Sequence, residues 1–268
     1  MMHPLALAAL MLAATWHSAA WMLNRLHASP EEGLPLFATA ALLAGLAVPR
    51  LRGSGLAPAI PVTTVAILLA FHAALTMADA PLLFRASLAV TGLLWIAYRA
   101  AFESRPPPAF WVLASLSMPV LPSLQFVLGY PMRLVSAVLT VGLLNLQGVP
   151  AGRDGTYVTI GGETVQFDAP CSGVAMLWTL TLVTLMFALV NRFSPLLLCA
   201  AMALTAALAV VCNVLRVSSL LFADAALTGA SIPWVHEAIG LAAFAISASG
   251  LVIVLRAPFF NQLLGGRA

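Results

Sequence analysis

Long stretches of this chain carry no charged side chain. Pro4–Leu23, Val174–Val190 and Leu196–Leu215 are apolar blocks interrupted only by an occasional Thr, Ser, His or Asn. Their apolar residues do not recur at the helical period that leaves a polar face toward water, so most helix faces must meet lipid. Only 8% of the 268 residues are charged, against roughly 25% in a soluble globular domain. Within a bilayer the backbone must satisfy its own hydrogen bonds, and apolar runs of this length do so as helices.

A spanning helix needs roughly 20 mostly apolar residues. The pattern predicts an all-α polytopic membrane protein of about eight transmembrane helices, near residues 4–23, 34–48, 56–77, 81–101, 109–128, 172–190, 195–215 and 234–255. Segment 131–147 carries Arg133, Asn145 and Gln147 and reads as an interfacial or re-entrant helix. Small residues at Ser18-Ala19-Ala20 resemble a cleavage site, yet no Lys or Arg precedes the first apolar run, so it is expected to remain as an uncleaved helix. No internal repeat or low-complexity linker divides the chain. It reads as one integral membrane domain over residues 1–268, with a helical half over 1–129 and the polar motifs over 130–256.

All twelve basic residues apart from histidine are arginines, and the formal net charge is +3. A balance so small and scattered does not suit nucleic acid; it serves to orient helices. Arg50, Arg52, Arg99, Arg105, Arg192, Arg256 and Arg267 fall on one side of the eight-span arrangement, and Arg25, Arg85, Arg133, Arg153 and Arg216 on the other. Eight of the nine acids, all but Glu103, accompany the second group. The positive-inside rule assigns the first side to the cytoplasm.

Between Gly148 and Asp168 lies the one extended stretch unsuited to lipid. Two β-branched runs flank Gly161-Gly162, which predicts a small β-hairpin on the outer surface. Cys171 follows it in Asp168-Ala169-Pro170-Cys171-Ser172-Gly173. An acid and a proline at a helix start place Cys171 in the first turn of the next span, where free N–H groups and the helix dipole favour thiolate. A cysteine in a membrane helix is otherwise a small apolar filler.

Arg216 closes the next span in Asn213-Val214-Leu215-Arg216, and His236 opens the last one. Taken singly, an arginine there snorkels to the headgroups, and His3, His17, His27 and His72 have no evident partner and read as interfacial or packed. Taken together, Cys171, Arg216 and His236 fall at the same ends of three consecutive spans, which short connections make neighbours. A Cys–His pair is an activated nucleophile with its proton carrier, and a guanidinium beside it stabilises a thiolate or an oxyanion.

From Tyr130-Pro131 to His236 the sequence resembles the exosortase/archaeosortase family of membrane cysteine transpeptidases, on Cys171-Ser172-Gly173, Asn213-Val214-Leu215-Arg216, His236 and the β-rich segment before the cysteine. The resemblance implies recognition of exported proteins by a carboxyl-terminal sorting signal: a short motif, a transmembrane helix and a basic tail. Cleavage through a thioester and transfer to a surface or lipid acceptor would follow, at the extracytoplasmic face of the inner or cytoplasmic membrane. It makes Cys171 the nucleophile, His236 the general acid/base and Arg216 the oxyanion or thiolate stabiliser, with Asn213, Ser172 and Gly173 in support. Cys171, Cys199 and Cys212 show no CxxC or metal-ligand spacing, so no disulfide framework, metal or cofactor is expected. Two other classes remain: a thiol oxidoreductase pairing Cys171 with Cys212, and a non-catalytic transporter or scaffold. Transport calls for ionisable residues deep in the spans, where this chain has little beyond His17 and His72.

Overall fold

A computed structural model describes residues 2–54, 60–102, 105–226 and 233–257. Glu103, Arg267 and the first residues of the span expected at 56–77 lie outside the described residues, as do the side chains of Arg50 and Arg52. The chain divides into two compact units, Met1–Val120 and Leu121–Ala268.

The first unit contains α1 (Pro4–Ala14), α2 (Trp16–Ala28), α3 (Pro30–Ser54), α4 (Val62–Met77), α5 (Leu82–Ala101) and α6 (Pro108–Leu116). α5 is its hub, packed by α1, α2, α3, α4 and α6. A core of Met22, Leu26, Ala86 and Met118 ties α2 and α5 to the segment after α6. The second unit holds α7 (Leu121–Leu146), β1 (Ala151–Asp154), β2 (Tyr157–Ile160), β3 (Glu163–Gln166), a 3-10 turn (Ala169–Ser172), α8 (Val174–Asn191), α9 (Pro195–Ala226) and α10 (Pro233–Arg256).

Five described helices, α5 and α7 to α10, are long and apolar enough to cross a membrane, or six spans if α1 and α2 count as one broken span. Among the described residues the count thus stays below the eight expected spans, for reasons visible in particular residues. Residues 4–23 bend by 83° between α1 and α2, where the buried Thr15 turns its hydroxyl back onto the Met11 carbonyl at 2.8 Å. α4 begins only at Val62 and has 16 residues, short of the roughly 20 a span requires. The stretch 109–128 is interrupted after Leu116, with Pro119 in the gap. Segment 131–147 is not a separate interfacial helix: α7 runs through Pro131 as one helix of 26 residues.

Polar residues that marked 131–147 as unusual find partners. Arg133 Nε donates to the Gly129 carbonyl of its own helix at 3.3 Å. Asn145 pairs with the backbone of Ala151 in both directions, at 3.1 and 2.9 Å, and so fixes the start of β1. The expected hairpin is a three-stranded antiparallel sheet in the order β1-β2-β3. Gly161 and Gly162, with φ of 59° and 90°, provide the two left-handed positions that a tight β2–β3 connection demands; a second turn at Gly155-Thr156 adds β1. Val158 and Phe167 bury completely against Ala137 of α7 and Val217 of α9, so the sheet is fastened to the helices through side chains.

Candidate active site

Cys171 belongs to the short 3-10 turn after the sheet, rather than to the first turn of α8. Gly173, in the left-handed region at φ 77°, separates the two elements. This breaks the alignment of peptide dipoles on which an acidic thiol was expected. A turn of four residues offers little macrodipole of its own.

Neighbouring helices grip the turn by its backbone carbonyls. Asn213 Nδ2 donates to the Cys171 carbonyl and to Ser136 Oγ, both at 3.0 Å. A carbonyl can only accept, so the amide nitrogen must face Cys171, and this leaves Asn213 Oδ1 buried without a partner. Three residues further along α9, Arg216 Nη1 donates to the Pro170 carbonyl at 3.1 Å. Asn213 and Arg216 lie on one face of α9 by the i, i+3 spacing. α9 continues ten residues beyond Arg216 instead of ending there. Ser172 is fully buried; its hydroxyl donates to the Ala169 carbonyl at 2.7 Å, sits 3.2 Å from Gln125 Oε1 and receives the Val174 N–H.

Gly173 is pressed against Asn213 so closely that a Cβ there would stand 2.7 Å from Asn213 Cγ. The motif Cys171-Ser172-Gly173 and the motif Asn213 to Arg216 are therefore two halves of one packed contact. On the far side of Arg216 stands α10, where a Cβ on Gly240 would lie 3.4 Å from Arg216 Nε. His236 is half-buried in the first turn of α10, four residues before Gly240. Residues spaced by four share a helix face, so His236 lies on the face of α10 that meets Arg216. A cleft of about 350 Å³ opens here, lined by Pro170, Gly173, Asn213, Arg216, Gly240 and Phe244 among others.

The Cys171 side chain itself is half-buried and packs beside the apolar cluster of Ala137, Val158, Phe167 and Val217, and is not among the residues lining the cleft. Burial raises its thiol above the ordinary cysteine value, and the Asp168 carboxylate adds to the rise; the Arg216 charge and a backbone hydrogen bond at Asp168 pull in the opposite direction without prevailing. Cys199 is exposed and Cys212 half-buried, and all three cysteines are free. No group of three or more His, Cys, Asp or Glu suited to a metal occurs among the described residues.

Gln125, Ser136 and Gly240 were not singled out by sequence reasoning. The first two stand as isolated polar residues in an apolar helix, which is a signal in its own right; Gly240 is marked only by its spacing from His236.

These features define a polytopic membrane protein with a thiol-bearing turn held by α7, α8 and α9. The sequence matches the transmembrane exosortase family (Exosortase_EpsH) over residues 33–253, and the chain belongs to that family. Members are, in general, membrane cysteine transpeptidases or proteases acting on exported proteins. The match reaches into the first unit as far as residue 33, beyond the motifs of the second. Neither a curated protein nor a solved structure gives a significant match.

Proposed function

We propose that this protein is a cysteine transpeptidase or endopeptidase that cleaves the carboxyl-terminal sorting signal of exported proteins, with Cys171 as nucleophile. The observation that carries this reading is the paired grip of Asn213 and Arg216 on the carbonyls of Cys171 and Pro170. Four residues of two separate motifs are spent on fixing one short turn, with half-buried His236 one helical turn from the glycine that touches Arg216. Such fixation serves positioning, which supplies up to roughly 7–11 kcal/mol toward an acyl transfer.

In the proposed sequence, His236 takes the Cys171 proton as sulfur attacks the scissile carbonyl. The S–C bond forms, and the negative charge on the carbonyl oxygen is met by Arg216. Collapse breaks the C–N bond, and His236 returns the proton to the departing amine, which leaves with the transmembrane helix and basic tail. An acceptor nucleophile then attacks the thioester and gives its proton to His236; the C–S bond breaks, and His236 passes the proton to the departing sulfur to restore the thiol. The unpaired Asn213 Oδ1 is suited to accept an N–H of the bound signal. A raised thiol value agrees with a nucleophile activated only when substrate is bound and His236 engages. Arg192 at the α8–α9 turn and Arg256 at the end of α10 stand at the helix ends opposite the 3-10 turn, which supports an extracytoplasmic site by the positive-inside rule.

The test is to trap the intermediate. Incubation with a substrate bearing the sorting signal should give a hydroxylamine-sensitive adduct on Cys171, and Cys171→Ala should leave substrate uncut but bound. Processing by Cys171→Ala at the parent rate removes the covalent mechanism.

A further inference from the structure

We infer that the first unit holds a second, separate site, which binds a phosphate group, at the break between α1 and α2. A cavity of about 380 Å³ opens there between α2, α4 and α5, within the size range of small-ligand sites. His17, Ser18, His72 and Arg85 line it, and no carboxylate does. Ser18 Oγ and His72 Nε2 are 2.9 Å apart. Arg85 Nε is buried and has no hydrogen-bond partner, and its guanidinium makes no ion pair among the described residues. Contrast Arg25 in the same unit, whose Nε and Nη2 meet the buried carboxylate of Glu32 at 3.1 and 2.9 Å.

A guanidinium stays protonated under all ordinary conditions, so burial of its Nε without an acceptor carries a desolvation cost that an anion would remove. Arg85 also lies in the first turn of α5, the end where the helix dipole disfavours a cation. An incoming anion would relieve both. The donors come from three elements and approach from different directions: His17 and Ser18 on α2, His72 on α4 and Arg85 on α5. A planar carboxylate is saturated by one arginine fork, whereas the tetrahedral oxygens of a phosphate can meet donors from several sides. When His72 carries its proton on Nε2 and donates to Ser18 Oγ, the serine hydroxyl hydrogen is free to point at the anion. Met77 and Leu82, which also line the cavity, are 87% and 38% exposed. In a membrane protein that apolar edge meets acyl chains, so the phosphate fits one carried by a lipid headgroup, with free phosphate as the other source of the same chemistry.

The experiment measures binding to the full chain in neutral detergent by titration calorimetry, using dihexanoyl phosphatidic acid, dihexanoylglycerol and inorganic phosphate. Phosphatidic acid should bind at least roughly tenfold more tightly than dihexanoylglycerol, and Arg85→Gln should remove that advantage, as expected for loss of a charged hydrogen bond. His72→Gln should weaken phosphatidic acid several-fold. Inorganic phosphate binding as tightly as phosphatidic acid identifies a free-phosphate site, and weaker binding identifies the lipid headgroup. Equal affinities for phosphatidic acid and dihexanoylglycerol in the unaltered protein overturn the inference, as does absent binding of both phosphate probes. So does unchanged phosphatidic acid affinity in Arg85→Gln. The comparison within the unaltered protein decides the matter even where Arg85→Gln does not fold.

Discussion

Gly173→Ala tests whether the two motifs act as one contact. The substitution has two physical consequences. An alanine at φ 77° occupies the left-handed region at a cost of about 1–2 kcal/mol. Its methyl group would stand 2.7 Å from Cγ and 2.9 Å from Nδ2 of Asn213, distances that real side chains do not tolerate. Asn213 is buried at 1% exposure and cannot swing into solvent, so the turn must lift or the amide must move. Either response loses the bonds to the Cys171 carbonyl and to Ser136, each worth about 1 kcal/mol. The combined penalty is about 3–4 kcal/mol, concentrated on the segment that carries the thiol. Processing of a signal-bearing substrate should fall at least a hundredfold, while helix content and membrane insertion persist because α8 starts after the glycine. Thermal melting in detergent, followed alongside cleavage, separates the two effects. In an Asn213→Ala background the amide is gone and only Cβ, at 3.0 Å, remains in the way, so the added cost of Gly173→Ala should shrink by about 1–2 kcal/mol. Gly173→Ala that cleaves and melts like the unaltered protein, or whose cost is unchanged by Asn213→Ala, refutes the packed-contact argument.

Replacing Arg216 by Lys keeps a charge but cannot hold the Pro170 carbonyl and reach the cleft with the same planar fork; cleavage should drop by roughly 10²–10³, and near-parent activity would mean that diffuse charge suffices. Alkylation of Cys171 in the chain with Cys199 and Cys212 replaced by Ser should show a midpoint above the ordinary cysteine value of about 8.5, and Arg216→Gln should move it higher by removing the one charge that lowers it. Because the folded value lies above the unfolded one, the unfolded chain loses its proton first: the contribution to stability is full below the unfolded value and declines as pH rises from there toward the folded value. Calorimetric stability that increases over that window would contradict burial as the cause. The same single-cysteine chain should react with a membrane-impermeant methanethiosulfonate from the extracytoplasmic side of intact cells, and labelling only from inverted vesicles would reverse the orientation.

What the sequence disclosed depended on how local the physics was. α5, α8, α9 and α10 follow from long, mainly apolar runs and begin close to where the composition places them, with α9 extending past its expected end. The count of spans did not follow, because length alone treats Thr15 and Pro119 as tolerable and only packing shows that the chain bends or breaks beside them. Asn145 read as a mark of an interfacial or re-entrant helix, yet its amide finishes the sheet by pairing with Ala151, a partner six residues on that no helical pattern reveals. At the site, the order of the motifs brought the Cys171 segment toward Asn213 and Arg216, although Arg216, read as a helix end, lies ten residues inside α9. The state of the thiol was not legible. It depends on Gly173 ending the 3-10 turn and on Val158 and Phe167 folding back beside Cys171, both products of tertiary structure.

That apolar cover bears on how a transpeptidase would differ from a plain protease. A thioester is attacked by water as well as by the intended acceptor, so the ratio of transfer to hydrolysis depends on how much water reaches the acyl carbon. The Cys171 side chain packs against a dry side formed by Ala137, Val158, Phe167 and Val217, and in the proposed mechanism substrate and acceptor come to it from the neighbouring cleft lined by Arg216 and Asn213. In that arrangement the acceptor takes the route through the cleft, and a bound acceptor excludes water there. Val158→Ser places a hydroxyl in the fully buried position on the dry side and should let water in from behind. The expected result is a rise in hydrolysed product relative to transferred product at an unchanged rate of thioester formation, measured by mass spectrometry of the released amino-terminal fragment. An unchanged product ratio, with the sheet still folded, would mean that water is excluded by the acceptor alone and that the sheet has no part in choosing between transfer and hydrolysis.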